Sequence, residues 1–330
     1  MRVLVTGGAG YIGSHTVLHL VAAGHEPVIA DNFGNAKPSV LPRLERLAGV
    51  PIESHALDLR DAAGVDALLG SRPFDAVIHF AGLKAVAESI EQPLTYYENN
   101  LGSTFTLVDA MRRHAVPILV FSSSATVYGI DAANPATEDA PTAAVNPYGR
   151  SKIMIEQVLR DVAAQAPDLA IGLLRYFNPA GAHPSGEIGE DPLATPNNLV
   201  PRIAQAAVGR IDTLAVFGTD YDTPDGTCVR DFIHVEDLAA GHVAALARLG
   251  QVGTGAGTSV LQMLAAFSRA VGRELPWQPA PRRPGDIAES WADVSRARVE
   301  LAWSATRTVD EICVDTWRWQ SQNPTGYPDD

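Results

Sequence analysis

The feature that most restricts this chain is a cluster of glycines close to its start. Residues 7–13 read Gly-Gly-Ala-Gly-Tyr-Ile-Gly, directly after the strand-like Arg2-Val3-Leu4-Val5-Thr6 and before a helix-period segment from Ser14 to Gly24. Gly8, Gly10 and Gly13 thereby satisfy G-x-G-x-x-G in the strand-to-helix setting that gives the pattern its meaning. Side chains there would block the tight turn, the approach of backbone N–H groups to a pyrophosphate, or the packing of the helix on the sheet. Strand-length apolar runs alternate with helix-period segments through the first half, which is the pattern of a parallel sheet covered by helices. Strands are expected at 2–6, 27–31, 51–54, 75–81, 117–123 and 170–176. Further helices are expected near 94–114, 148–165, 199–208, 236–249, 258–271 and 308–321, the last opening with Thr308 and Glu311 in capping-box spacing. The expected fold is α/β, a Rossmann-type doubly wound parallel sheet with a smaller α/β C-terminal lobe.

Composition narrows the partners. A chain of 330 residues buries a core large enough to need neither disulfide nor metal, and 46% hydrophobic with 19% charged residues excludes a disordered chain. No apolar run is long enough to span a bilayer, so no membrane partner is expected. Lys and Arg number 25 against 38 Asp and Glu, a formal charge of −13. That balance repels a phosphate backbone, so nucleic acid is not expected, and an anionic ligand must be held by a few local cations. Cys228 and Cys313 are the two cysteines, in no metal or redox spacing, and Met1 leads directly into the first strand with no leader pattern. We expect a cytoplasmic protein.

After Asn178 the character changes, with Pro, Gly and Asn clustered through Gly186, a length typical of a binding loop. The expected division is 1–177 for a dinucleotide-binding domain and 178–330 for a substrate lobe, with residues 234–249 returning to the first part.

Three constellations carry chemistry. Asp31 ends the second strand about eighteen residues after Gly13, where its carboxylate accepts hydrogen bonds from adenosine ribose hydroxyls and repels a 2′-phosphate, so NAD rather than NADP is expected. Tyr148 and Lys152 stand in Y-x-x-x-K spacing behind Pro147, on one face of a helix. An unperturbed phenol titrates too high to act as a base at neutral pH, and a neighbouring ammonium brings it down. The pair taken alone also fits a solvated helix face, and the glycine loop in the same chain favours the chemical reading. Third, Ser122, Ser123 and Ser124 follow a strand at its carboxyl end, the edge where open α/β sheets bind ligands, although serines there are also ordinary turn formers.

With these motifs in this order, the chain resembles the UDP-glucose 4-epimerase branch of the extended short-chain dehydrogenase/reductase family. The resemblance runs from Met1-Arg2-Val3-Leu4-Val5-Thr6-Gly7-Gly8 through His79-Phe80-Ala81-Gly82-Leu83-Lys84-Ala85-Val86, Arg175-Tyr176-Phe177-Asn178-Pro179 and Gly189-Glu190-Asp191-Pro192 to Trp317-Arg318-Trp319-Gln320-Ser321. It implies redox-neutral use of a retained NAD. Tyr148 takes the proton of the sugar 4-hydroxyl, Ser124 hydrogen-bonds the reacting oxygen, and Lys152 tunes Tyr148 and holds the nicotinamide ribose. It also implies cofactor contacts from Gly7, Gly10, Tyr11, Ile12, Gly13, Asp31, Asn32 and Asn35, then from Asp58, Leu59, Phe80, Ala81, Gly82, Lys84, Asn99, Ser122 and Phe177. The UDP-sugar falls to Asn178, Asn197, Asn198, Leu199, Ala215, Phe217, Arg230, Arg283 and Asp286. Arg230 and Arg283 are then the cations that the acidic total requires, since a guanidinium fork matches paired phosphate oxygens. No metal is implied, and His79, His183 and His234 are expected to be structural. The helices at 94–114 and 148–165 resemble those through which such epimerases pair, so a homodimer is expected.

Departures from the family pattern are informative. Ala36 stands where many relatives carry a serine near the adenosine phosphate, at a cost of one hydrogen bond at most. Residues 250–258 are several residues too short for the strand usually found there, so that strand is expected to be missing or shortened. Ser290 stands where the family alternates between tyrosine and a small residue, leaving volume for a 2-acetamido group on the sugar. Two other readings share these motifs. A nucleotide-sugar 4,6-dehydratase needs an acid pair where this chain has Ala125 and Thr126, and a non-catalytic NAD-sensing protein typically lacks the tyrosine or lysine kept here.

Overall fold

The computed structural model describes residues 1–193, 196, 198–246, 254–283 and 286–328. Its centre is a six-stranded sheet made of β1 (Arg2–Thr6), β2 (Glu26–Asp31), β3 (Glu53–Ala56), β4 (Ala76–His79), β5 (Ile118–Ser122) and β6 (Ala170–Leu174). All pairings are parallel and the order is β3-β2-β1-β4-β5-β6. The strand order reverses direction between β1 and β4, and the crevice outside the carboxyl ends at that point is where such sheets take ligands. Alternation along β1 explains the layers. Val3 and Val5 join Val17, Leu20, Ile29 and Ile78 in the core on one face, whereas Leu4 joins Val28, Val77, Leu107, Phe121 and Ile155 on the other.

Helices α1 (Tyr11–Ala22), α2 (Val40–Ala48), α3 (Ala62–Ser71), α4 (Val86–Glu91), α5 (Pro93–Arg113) and α6 (Pro147–Gln165) cover the two faces. α1 begins three residues before the Ser14 expected from periodicity, because Gly10, in extended conformation, already serves as its N-cap. β3 lies two residues later than expected: Pro51 has no N–H to give, and pairing to β2 begins with Val28 opposite Glu53. β4 stops at His79, where the N–H groups of Phe80 and Ala81 both turn to the Thr6 carbonyl.

The remaining elements are β7 (Asn178–Ala180), α7 (Leu199–Ala207), β8 (Leu214–Phe217), β9 (Val229–Arg230), β10 (Phe232–His234), α8 (Val235–Ala245), β11 (Thr258–Ser259), α9 (Val260–Val271), β12 (Trp277–Ala280), β13 (Glu289–Ser290) and α10 (Val309–Gln322). Three small sheets result, β10-β7, β11-β9-β13 and β12-β8. They share a core of Val200, Ile203, Leu214, Phe232, Met263, Phe267 and Ile312. α8 packs on α1, and Leu238, Trp303, Trp319 and Tyr327 join the core of the first sheet face, so the two halves are interleaved. The helix expected at 258–271 begins instead at Val260, with Ser259 closing a capping box to Gln262. In the shortened region 250–258, residues 250–253 lie outside the described residues and Thr258 enters the two-residue β11. The expected end of helix 236–249 likewise lies partly outside them. Among the described residues no helix is long and apolar enough to cross a membrane.

Candidate active site

The glycine turn is built for close approach. A Cβ on Gly13 would lie 2.2 Å from the Gly7 carbonyl oxygen, and one on Gly7, whose φ is +69°, would lie 2.8 Å from the Ala81 nitrogen. Gly10 gives α1 no side-chain cap, so the first N–H groups of the helix are left for an anion. Tyr11 donates its hydroxyl proton to the Gly181 carbonyl at 2.7 Å, while Ile12 turns into the core. Asp31 is buried at the end of β2 and accepts the Ala9 and Phe33 N–H groups at 3.1 and 2.9 Å. Burial raises its pKa against those bonds. A dinucleotide fits this cradle: the turn has room for backbone contact alone, and an acidic residue stands where the ribose diol would lie.

The other residues expected around a dinucleotide fall on the same edge of the sheet. Asn32 reaches Asp58, whose carboxylate is held by Arg60 and lowered to about 2. Leu59 is buried, Asn35 is exposed, and Ala36 is part of the core rather than a polar contact. Phe80, Ala81, Gly82 and Lys84 follow β4. Asn99 donates to the Asn100 side chain, which in turn holds the Leu83 N–H at 2.8 Å, tying α5 to that loop. Lys84 pairs with Glu190 at 3.3 Å.

The reactive groups meet at the carboxyl ends of β5 and β6. Asn146 caps α6 by accepting the Gly149 N–H at 2.8 Å, and Pro147 fills the first helical position, which puts Tyr148 on the inner face of the first turn. Ser124 caps a 3₁₀ turn, Ala125–Val127, with its hydroxyl beside the Tyr148 phenol. Lys152 follows one turn later, its Nζ donating to the Ser122 carbonyl at 2.8 Å and lying 5.9 Å from the Tyr148 ring centre and 4.6 Å from that of Phe121. Burial pushes the Tyr148 phenol up while the Ser124 bond pulls it down. Burial also lowers Lys152 to about 8, against an opposing pull from Glu156. The Ser122 hydroxyl donates to the Tyr176 hydroxyl at 2.9 Å, and buried Phe177 stacks on Tyr128.

Sequence reasoning missed the layer beneath. Glu156, four residues after Lys152 and eight after Tyr148, pairs with Arg175 at 2.7 Å and accepts the Ser123 hydroxyl at 2.6 Å. Arg175 also lies over the Tyr128 ring and donates to the Glu138 carbonyl. The spacing 148, 152, 156 carried the signal, since it continues one helix face inward. His79 is buried between Thr6 Oγ1 at 2.7 Å and Thr104 Oγ1 at 3.1 Å, and burial lowers it to about 3, so it is neutral. Among the described residues no cluster of His, Cys, Asp or Glu could hold a metal ion.

In the second half of the chain a nucleotide-facing wall is expected, and there Asp286 lies between two guanidinium groups, 3.4 Å from Arg230 and 3.0 Å from Arg283. Arg283 in turn lies over the exposed Phe217 ring, 5.1 Å from its centre. Ala215 precedes Phe217 on β8, and Ser290 pairs with Arg230 between β13 and β9. Asn178 donates its side-chain amide to the Asp231 carbonyl at 3.0 Å. Asn198 caps α7 without a side-chain bond to it and reaches Glu190 at 3.4 Å, and Leu199 opens that helix; Asn197 lies outside the described residues. Ala136, Phe177 and Ala292 pack together, joining this wall to the loop beside Tyr148. The buried Asp231 carboxylate accepts the N–H groups of Thr254, Gly255 and Ala292 and the Thr254 hydroxyl, so it anchors the shortened segment.

This arrangement is matched by known proteins. The sequence pattern of the NAD dependent epimerase/dehydratase family fits residues 3–256. The UDP-glucose 4-epimerase of Yersinia pestis is 54% identical over 338 residues, covering 100% of both chains. That of Bacillus subtilis (strain 168) is 52% identical, covering 99% of each. Among solved structures, UDP-glucose 4-epimerase from Bifidobacterium longum in complex with NAD+ and UDP superposes with a TM-score of 0.95 at 48% identity, covering 99% of this chain and 100% of that one. The Stenotrophomonas maltophila enzyme, with bound NAD and formylated UDP-arabinopyranose, gives 0.96 at 48% identity, over 98% and 99%. On this ground, and on the glycine turn and Tyr148–Lys152 geometry beneath it, the chain belongs to the NAD dependent epimerase/dehydratase family.

Proposed function

We propose that the protein interconverts UDP-glucose and UDP-galactose by inverting carbon four of the hexose. The observation that carries this reading is the convergence of Ser124, Tyr148 and Lys152 beside the glycine cradle, buried from water, in a chain whose second half carries the Arg230–Asp286–Arg283 group. Gly7 to Gly13 and Asp31 would hold NAD, which when bound would supply the two-electron acceptor for the carbon-four hydrogen. Tyr148 takes the proton of the 4-hydroxyl, and Lys152 favours the phenolate by its charge. Ser124 donates a hydrogen bond to the oxygen on which charge collects. The proton returns by the same path after the sugar has presented its other face, so the sum of the two half-reactions is redox-neutral. Such turning requires UDP to be gripped by Arg230 and Arg283 while the hexose is held loosely.

The remaining assignments follow from this reading. Asn178, Asn198, Leu199, Ala215 and Phe217 line the nucleotide side, and the small Ser290 beside Arg230 leaves room for a 2-acetamido group, so UDP-N-acetylglucosamine and UDP-N-acetylgalactosamine are further substrates. Residues 1–177 with the returning α8 form the cofactor-binding part and most of 178–330 the UDP-sugar lobe. A second copy of the chain pairs through α5 and α6, where Leu94 and Phe105 stay 73% and 46% exposed. Two free, buried cysteines suit a reducing cytoplasm. The decisive experiment is a coupled assay on UDP-galactose and UDP-N-acetylgalactosamine, with Tyr148→Phe as control. Turnover that vanishes in the control supports the reading, and equal turnover in both proteins overturns it. A Ser290→Tyr variant that leaves the ratio of the two substrates unchanged overturns the N-acetyl assignment.

A further inference from the structure

The hydroxyl of Ser124 is held by a neighbour that the mechanism above does not use. Thr126, two residues on in the 3₁₀ turn Ala125–Val127, gives Ser124 Oγ two hydrogen bonds, from its backbone N–H at 3.2 Å and from its own hydroxyl at 3.0 Å. A serine oxygen has two lone pairs and one proton. With both lone pairs engaged by Thr126, Ser124 has only its proton left to offer, and Tyr148 is beside it to receive the bond. The backbone bond is one that any residue at 126 except proline supplies. The hydroxyl bond depends on the Thr126 side chain. The turn is also pressed against α6, because a Cβ on Gly149, next to Tyr148, would lie 2.5 Å from the Thr126 carbonyl oxygen.

We propose that Thr126 is a positioning residue for the epimerisation, one that fixes Ser124 as a hydrogen-bond donor, toward the Tyr148 oxygen before the sugar enters and toward the reacting sugar oxygen once that oxygen takes its place. The inference rests on the epimerase reading. Without the Thr126 hydroxyl, one lone pair of Ser124 is released, and Ser124 can turn to accept a hydrogen bond from the neutral Tyr148 phenol. A bond to the neutral form favours the neutral form, whereas a bond to the anion favours the anion. Thr126 therefore biases Tyr148 toward the state that can take a proton from the sugar. Among the described residues, the other ionisable groups facing Tyr148 are Lys152 on α6, itself opposed by Glu156, with Tyr96 on α5 and Tyr176 after β6.

The test uses the full chain with its bound dinucleotide and UDP-galactose as substrate. Thr126→Val should lower kcat about tenfold, the size of a lost hydrogen bond to a charged group. The acid limb of its pH profile should move up by about one unit, with KM and affinity for UDP unchanged. Thr126→Ser, which keeps the hydroxyl, should match the unaltered protein in both. A valine variant with unaltered kcat and limb overturns the proposal. So does a serine variant as impaired as the valine one, since the methyl group would then matter and not the hydroxyl. If the valine chain does not fold around its dinucleotide, Thr126→Ala removes the hydroxyl without added bulk and is read by the same outcomes. Failure of the unaltered protein to turn over UDP-galactose is a failure of the epimerase reading and is seen before any variant is made.

Discussion

Lys152 and Tyr148 are each driven toward neutrality by burial, yet the chemistry asks for a charge on both. Lys152, lowered to about 8 by burial, is still mainly protonated at neutral pH, and in the proposed reaction its positive charge favours the phenolate. Removing that charge should therefore act on pH dependence as well as on rate. Lys152→Met is expected to lose about 100-fold in kcat at neutral pH and to recover part of it on the alkaline side, because the Tyr148 pKa rises when the ammonium goes. Rates followed from neutral to alkaline pH measure both effects, and a loss that is the same at every pH would show that Lys152 serves only to hold a ligand. Tyr148 and Lys152 were legible because a four-residue spacing needs nothing but a helix to bring two side chains together. Thr126 was legible only as a residue that is not an acid. Its bond to Ser124 depends on a 3₁₀ turn with no signature in one-dimensional spacing, and the role of Arg175 depends on β6 lying beside β5.

The elements divide in the same way. Asp231 sits between β9 and β10, wholly buried, and its carboxylate ties Thr254, Gly255 and Ala292 to one point, while its backbone holds Asn178 and the Ser290 carbonyl. Asp231→Asn turns part of that acceptor into a donor facing N–H groups. It should cost about 1–3 kcal/mol of stability and raise the KM for UDP-sugar more than it lowers kcat, as thermal unfolding and steady-state kinetics would report. No sequence pattern pointed to this anchor, since its donors come from segments 23 and 61 residues away. By contrast, strands β1, β2, β4, β5 and β6 were legible from apolar runs alone, whereas β3, Glu-Ser-His-Ala, lies two residues beyond the expected place, and the Thr308–Glu311 capping box is present at the start of α10 as its spacing implied. α2 escaped because Pro42 reads as a breaker, although a proline in the first turn of a helix costs it no bond. Strands β7 to β13 escaped because elements of two to four residues carry no periodicity. Pairing to distant partners creates them.

At the scale of the whole molecule, Phe105→Asp on α5 should convert a dimer into monomers, as light scattering would register, with the sheet and its glycine turn unaffected. A dimer that survives the substitution places the pairing surface elsewhere. Acid should weaken the fold through its buried imidazoles. His242, against Phe80 and Tyr176, is lowered to about 4 and His79 to about 3, from 6.5. Between 6.5 and about 4 the unfolded chain binds protons that the native one refuses, so stability is complete above that window and declines as pH falls through it. His242→Gln should flatten the dependence of melting temperature on pH across the same window. The triplet of Arg230, Asp286 and Arg283 has a further consequence. One carboxylate already cancels one of the two guanidinium charges, so the nucleotide wall offers a single net positive charge inside a molecule of −13. A diphosphate diffusing inward meets repulsion until it is within about a Debye length of that wall. Capture should therefore quicken as moderate ionic strength is added, the reverse of a steered encounter, and tight holding must come from slow departure, which stopped-flow mixing at several salt concentrations would separate.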